Sequence, residues 1–350
     1  MRPKAKTLAG VDIGTSSVKI AALRRTRKDA FELEALAVEA LPPDSIVDGV
    51  IISKLAVAEA IERIFKSQRI RNERIATSIC GHSVIVKKVD VPSQSEHELN
   101  QSIQWEAEQY IPFDISEVNL DYQILGKTGD GSRMEVLLVV AKRDKITDYT
   151  SVLSMAGKRP VVVDIDAFAL QNVFEVNYRP EKRKVVALLD IGATTMSVSI
   201  VMGREFLFTR DIAMGGNHYT ELLQKELNIS FEEAERYKAG QAPSEELKGK
   251  TDTVVDSVSE ILTLEVQKTF DFFQTTAHSG GIHEIYLSGG ASRTHGLREY
   301  LQDKLQSPVE HLNPLKDIRV DKDKFPDSLT TDLAMDFAIA VGLALRTERD

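Results

Sequence analysis

Val11 to Leu23 reads VDIGTSSVKIAAL, and Leu189 to Val201 reads LDIGATTMSVSIV. Each copy runs apolar residue, Asp, apolar residue, Gly, a small hydroxyl-rich turn, then a second apolar alternation. The period of two predicts strand, tight turn, strand. Gly14 and Gly192 let the main chain approach a ligand closely. Thr15 and Ser16 in one turn, and Ala193, Thr194 and Thr195 in the other, set hydroxyls and small side chains beside backbone N–H groups. Such turns suit phosphate oxygens. Lys19 leaves the first turn as a point cation able to neutralise phosphate charge. Asp12 and Asp190 end the two leading strands, where paired carboxylates beside phosphates suit Mg²⁺, an ion that keeps several of its waters. One D-x-G turn is common in ordinary β-structure. Its recurrence in the second half predicts a duplicated α/β fold with a shared cleft.

A chain of 350 residues exceeds one typical core, so two domains are expected, over 1–180 and 181–350. The polar, basic stretch NYRPEKRK (177–184) marks the boundary. With 42% hydrophobic and 28% charged residues, the composition is that of a folded globular protein. A net charge of −9 argues against broad nucleic-acid binding. Cys80 is the single cysteine, which excludes an intramolecular disulfide and fits the cytoplasm. The opening MRPKAKTLAG lacks the apolar run of a signal peptide. No stretch approaches the ~20 apolar residues of a membrane span, so membrane association is expected only through partners.

Working outward, 31–41 continues the first sheet. A helix follows from Ser53 to about Gln68, with an apolar stripe of Leu55, Ala58, Ile61, Ile64 and Phe65. Strands are expected at 75–81 and 83–91. Residues 93–160 read as an inserted α+β module in the order helix, strand, strand, helix. Ser95 and Glu98 open its first helix with capping-box spacing, and Ile111–Pro112 stops it. After a buried strand at 160–165, Asp166 is expected to cap the next helix. The second half repeats the plan with the hairpin at 185–201, a strand at 205–213, a turn at Gly215–Gly216 and a helix at 218–227. A helical subdomain spans about 228–280, with a helix opened by Ser230, a loop over 239–252 and a long helix over 254–276. A strand at 285–287, a helix at 294–304, a short edge strand at Val309 and a buried final helix at 332–345 complete the chain.

Two further stretches bear on the cleft. Leu287 to Arg293 reads LSGGASR, where Gly289, Gly290, Ala291 and Ser292 would let a flat ligand lie on bare backbone. Glu235 and Lys238 lie one helical turn apart, the carboxylate suited to ribose hydroxyls and the ammonium to a base. By itself the first reads as a βα turn. The second by itself is a solvated pair worth about 0.2–0.5 kcal/mol. His278 and His283 lack metal spacing and read as loop polar residues. Trp105, the only tryptophan, falls on the polar face of its helix and is a candidate partner contact.

In this order the four cleft motifs resemble the phosphate-1, phosphate-2 and adenosine motifs of the actin/Hsp70/sugar-kinase superfamily. The resemblance implies an actin-like ATPase fold, two RNase-H-like domains around an interdomain cleft that holds ATP and Mg²⁺. It implies that Asp12 and Asp190 hold the metal through water, and it places Asp166 where the superfamily sometimes has a water-orienting residue. The position of the insert resembles FtsA. The run SEHELNQSIQWEAEQYIPFDISEVNLDYQIL (Ser95 to Leu125) and the closing FAIAVGLALR (Phe337 to Arg346) are similar to the PilM family of type IV pilus assembly proteins. FtsA ends in an amphipathic membrane helix after a linker, whereas this sequence ends within a few residues of its buried final helix. The resemblance implies an ATP-binding scaffold at the inner membrane. It would bind the cytoplasmic N-terminal tail of PilN in a groove beside the insert and link motor and inner-membrane pilus proteins. No general base or nucleophile arrangement stands out, so hydrolysis is expected to be slow at most. Other readings are an FtsA- or MreB-like filament former, or a small-molecule kinase with Asp166 as its catalytic carboxylate. Homo-oligomers are compatible with each.

Overall fold

The computed structural model describes residues 7–26, 30–277 and 280–347. His278 lies outside them. β1 (Ala9–Ile13) and β2 (Ser17–Arg25) make the first hairpin, with Asp12 opposite Lys19. β3 (Phe31–Ala40) extends it antiparallel. The small hairpin β4 (Ile46–Val47) and β5 (Val50–Ile51) turns at Asp48 and Gly49, whose φ values of 49° and 73° are the left-handed pair that a two-residue loop requires. α1 (Lys54–Ser67) buries Val57, Ala58, Ile61, Ile64 and Phe65 against the sheet. Leu55, expected in that stripe, is 62% exposed. It lies about 120° around the helix from Ile61, at 100° per residue, and so at the margin of the apolar face.

β6 (Arg74–Ile79) runs parallel to β1. β7 (Val84–Pro92), α2 (Glu96–Glu108), β8 (Val118–Thr128) and β9 (Arg133–Lys142) then form a separate layer. Its sheet has the order β7-β9-β8, and Leu99, Ile103 and Ala107 of α2 pack on Val89, Val91, Val136 and Leu138. Ser95 and Glu98 make the reciprocal capping box, and α2 ends at Glu108, before Ile111–Pro112. The sheet takes in β7, which precedes residue 93. α3 (Arg143–Met155), expected within the insert, instead packs its Tyr149, Val152 and Leu153 into the core of the first sheet. β10 (Arg159–Ile165) pairs with β6 as an edge strand, half-buried along most of its length, where Pro160 costs little. α4 (Asp166–Tyr178) follows directly.

The second half comprises β11 (Val185–Ile191), β12 (Met196–Met202), β13 (Glu205–Ile212), α5 (Gly216–Leu227) and α6 (Phe231–Lys238). α7 (Glu245–Ala277), β14 (Glu284–Ser288), α8 (Leu297–Leu305), β15 (Val309–His311) and α9 (Ala338–Ala344) complete it. α7 begins well inside the expected loop at 239–252. Ser244 Oγ accepts from Leu247 N at 3.3 Å, and this first stretch is mostly exposed, so it shows no apolar period. The expected single helix at 332–345 is broken into a π turn (Ser328–Asp332), a 3₁₀ turn (Ala334–Phe337) and α9.

The sheet orders are β10-β6-β1-β2-β3 and β13-β12-β11-β14-β15. Each makes two successive antiparallel pairings on one side of its central strand and two successive parallel pairings on the other. The duplication read from the hairpins therefore extends to whole sheets. α4 and α9 pack between the sheets, in a core that joins Ala21, Leu23 and Ala76 to Val186, Leu188 and Tyr286. A Cβ at Gly342 would lie 1.9 Å from the Ala169 carbonyl oxygen, so only glycine permits this helix crossing.

Candidate functional site

A cavity of about 430 Å³ lies where the two hairpin turns face each other. The turns are built alike: Gly14 N donates to Ser17 O at 3.1 Å, and Gly192 N to Thr195 O at 2.9 Å. Thr15 Oγ1 and Thr194 Oγ1 meet across the cleft at 2.9 Å. α5 is anchored on the second turn, with Gly216 N donating to Gly192 O at 2.9 Å and Asn217 N to Ala193 O at 2.8 Å. A Cβ at Gly215 would lie 2.5 Å from Gly192 O. Close backbone contact explains the Gly-Gly pair at this point.

Asp12, Gly14, Thr15, Ser16, Lys19, Asp166, Asp190, Gly192, Ala193, Thr194, Thr195, Gly289 and Gly290 all line the cavity. Asp12 pairs with Lys19 at 3.6 Å, and Asp190 Oδ1 accepts from Ser288 Oγ at 2.7 Å. Burial pushes Asp12 above the usual carboxylate range, against the opposing pull of Lys19. Burial likewise lifts Asp190 to about 6, with the Ser288 hydrogen bond opposing. Asp166 rises to about 7, through burial and then through the charge of Asp12. Asp166 does not cap α4 with its side chain; Ile165 holds the cap position, and the Asp166 carboxyl is turned into the cleft. Gly289, at φ 81°, could not carry a Cβ, which would lie 2.5 Å from Ile191 O.

Other expected residues stand behind this lining. Glu235 and Lys238 pair with each other at 2.5 Å, and Lys238 Nζ also donates to Thr220 Oγ1 at 2.9 Å. They brace the start of α5 and do not reach the cavity wall. Gly215, Gly216, Ala291 and Ser292 are also one layer back, and a Cβ at Gly216 would meet Ala291 Cβ at 2.9 Å. His283 is structural, its Nδ1 accepting from Val185 N at 3.2 Å. Trp105 is 76% exposed on α2.

The cavity wall also contains Cys80, Lys145, Tyr149, Asp211 and Asp336, none of which the sequence motifs flagged. Asp211 Oδ2 accepts from Gly81 N at 2.5 Å and its Oδ1 from Ser197 Oγ at 2.5 Å, so it ties the second domain to the end of β6. Its one sequence signal was a carboxylate at the end of a strand beside a hydroxyl-bearing partner strand. Asp336 is held by Arg293 in a two-pronged contact at 3.0 and 3.1 Å. Among the described residues, no group of three or more His, Cys, Asp or Glu converges to ligate a metal directly.

A second groove, of about 370 Å³, adjoins the first. Ile79, Val84, Val86, Pro112, Phe113 and Ala167 give it an apolar wall between the inserted layer and the first sheet. Cys80, Gly81, His82, Asp166 and Asp211 line both spaces. Among the described residues, no helix is long and apolar enough to cross a membrane.

Two sheets of matching topology, two facing Gly turns and an acidic cleft between them define an actin-like ATPase fold. Residues 10–348 match the family described as type IV pilus assembly protein PilM. The chain belongs to the PilM family. A solved PilM–PilN type IV pilus biogenesis complex is 29% identical, covers 97% of this chain and 98% of that chain, and superposes with a TM-score of 0.85. FtsA of Bacillus subtilis (strain 168) is 22% identical, over 87% of this chain and 78% of FtsA. EutJ of Escherichia coli (strain K12) is 27% identical over 125 residues, which is 36% of this chain and 40% of EutJ.

Proposed function

We propose that this protein is an actin-like scaffold of type IV pilus assembly that binds ATP with Mg²⁺ in the interdomain cleft. It holds the cytoplasmic N-terminal tail of a PilN-like inner-membrane protein in the adjoining groove, and so sits at the inner membrane through that partner, joining the pilus motor to the membrane platform. The observation that carries this reading is the apolar groove beside the inserted layer, which shares Cys80, Gly81, His82, Asp166 and Asp211 with the cleft that the phosphate turns face. The likeness to a PilM–PilN complex supports the choice of occupant. An extended tail with alternating apolar side chains fits such a groove through backbone hydrogen bonds and shallow pockets.

The residues present fit Mg²⁺. Six aspartates and two lysines line the cleft, so a triphosphate enters a field of its own sign unless a cation accompanies it. Asp12 and Asp190 would hold that ion through its waters. When bound, the ion supplies charge neutralisation for the phosphates. Thr15, Ser16, Thr194 and Thr195 orient the phosphate oxygens, and Lys19 balances Asp12. Asp166, with its pKa near neutrality, can hold or accept a proton at its carboxyl. Fluorescence anisotropy of a labelled peptide of the PilN-like tail, with and without Mg-ATP, tests the partner assignment. Absence of binding in both states would overturn it.

A further inference from the structure

We infer that Lys145 is the residue that reads the terminal phosphate of a bound nucleoside triphosphate, and so distinguishes it from the diphosphate. This rests on the nucleotide reading above. Two cationic side chains line the cleft, Lys19 and Lys145. Lys19 is already committed to Asp12 at 3.6 Å. Lys145 is half-buried, and among the described residues no carboxylate lies within ion-pair distance of its Nζ. It donates to the Gly49 carbonyl oxygen and, at 3.3 Å, to the Tyr149 hydroxyl. An ammonium group has three protons, so one is left for another acceptor. The carboxylates of Asp166, Asp148 and Asp144 act on it only from beyond ion-pair distance, so its remaining proton is open to an anion in the cleft.

Position selects which anion. The Gly289–Gly290 turn, the expected adenosine contact, lies at the end of β14 in the second domain. In the second sheet the β11–β12 turn stands between β14 on one side and β13 on the other, and Asp211 of β13 contacts Gly81 just after β6, so the turns separate Gly289 from the end of β6. A nucleotide laid from the second domain through the turns therefore ends toward Cys80, Asp166 and Lys145. Cys80, Asp166 and Lys145 line the same cavity, and the Asp166 carboxylate acts on the ammonium from there, as Asp148 and Asp144 do from its own helix. Gly49 fits the same design: Lys145 Nζ lies 2.9 Å from where its Cβ would be, so the β4–β5 turn presents bare backbone that holds the ammonium over the cleft.

The test is nucleotide titration of the full chain with Mg-AMP-PNP and Mg-ADP, in wild type, Lys145→Met and Lys145→Arg. A charge-assisted contact is worth about tenfold or more in affinity. In Lys145→Met, AMP-PNP affinity should fall by about that factor while ADP affinity stays within about twofold. Lys145→Arg should recover much of the loss. Retained ADP affinity also reports an intact fold. An equal loss for both nucleotides, or no loss for AMP-PNP, would overturn the assignment. Failure of the wild type to bind either nucleotide would instead remove the nucleotide reading itself, and this inference with it.

Discussion

Thr15 and Thr194, at the tips of two hairpins in different domains, share a hydrogen bond of 2.9 Å between their hydroxyls. This contact closes the cleft at the point where phosphate oxygens are expected. A phosphate placed there takes both hydroxyls as donors in exchange for one mutual bond. Thr194→Val should lower Mg-ATP affinity about two- to tenfold, the range of one neutral hydrogen bond. Isothermal titration calorimetry measures it, and an unchanged affinity would show that the turns do not hold phosphate.

Asp190→Ala should abolish retention of Mg-ATP through gel filtration while the circular dichroism spectrum stays that of wild type. The buried carboxyl is held by Ser288 Oγ, and its removal leaves that hydroxyl able to donate to the Leu189 carbonyl oxygen, now at 3.5 Å. The fold survives because the carboxylate faces the cleft and not the core.

The raised carboxyl of Asp166 predicts a pH dependence of the nucleotide-free protein. Its pKa is 3.8 ordinarily and about 7 in the fold, so the folded state binds more protons between those values. The stability it contributes is fully present below pH 3.8 and is lost as the pH rises through about 7. Asp166→Asn removes this titration. The thermal midpoint of the variant should fall less than that of wild type from about pH 4 to about pH 7.

Gly342→Ala should be strongly destabilising, because its Cβ meets a backbone carbonyl that cannot swing aside. Overpacking of this kind costs about 3 kcal/mol at the upper end of its usual range. Chemical denaturation gives the value, and a loss under about 1 kcal/mol would mean that the α4–α9 crossing adjusts freely.

Trp105 predicts the opposite separation. At 76% exposure it contributes little to stability, so Trp105→Ala should leave the thermal midpoint unchanged. Self-association or partner binding should weaken, by sedimentation and anisotropy, since exposed tryptophans are frequent anchors of interfaces. If neither changed, the residue would have no docking role.

Most secondary structure was legible because it rests on local rules. The capping boxes at Ser95 and Ser230 and the alternation of β11 and β12 each need only neighbours a few residues away. Errors fall where tertiary context overrides those rules. The first turns of α7 bury little, so no apolar period announced them. α3 adjoins the insert in sequence, but its Tyr149 and Leu153 pack into the main core. In the cleft, Lys145, Cys80 and Asp211 carry no motif, because single residues on separate elements have no spacing to read. Glu235 and Lys238 had the spacing, and the fold pairs them with each other and with Thr220 at the start of α5.

The sequence by itself determined the two Gly hairpins, the duplication they imply and the family, since turn chemistry and alternation are written in contiguous residues. Only the tertiary structure decided what meets across the cleft. Thr15 touches Thr194, Asp211 reaches Gly81, and Lys145 comes to the cleft wall, because these contacts depend on how two sheets and an inserted layer pack around α4 and α9. Burial then sets the charge of Asp166 and Asp190, and burial is a property of the assembled fold.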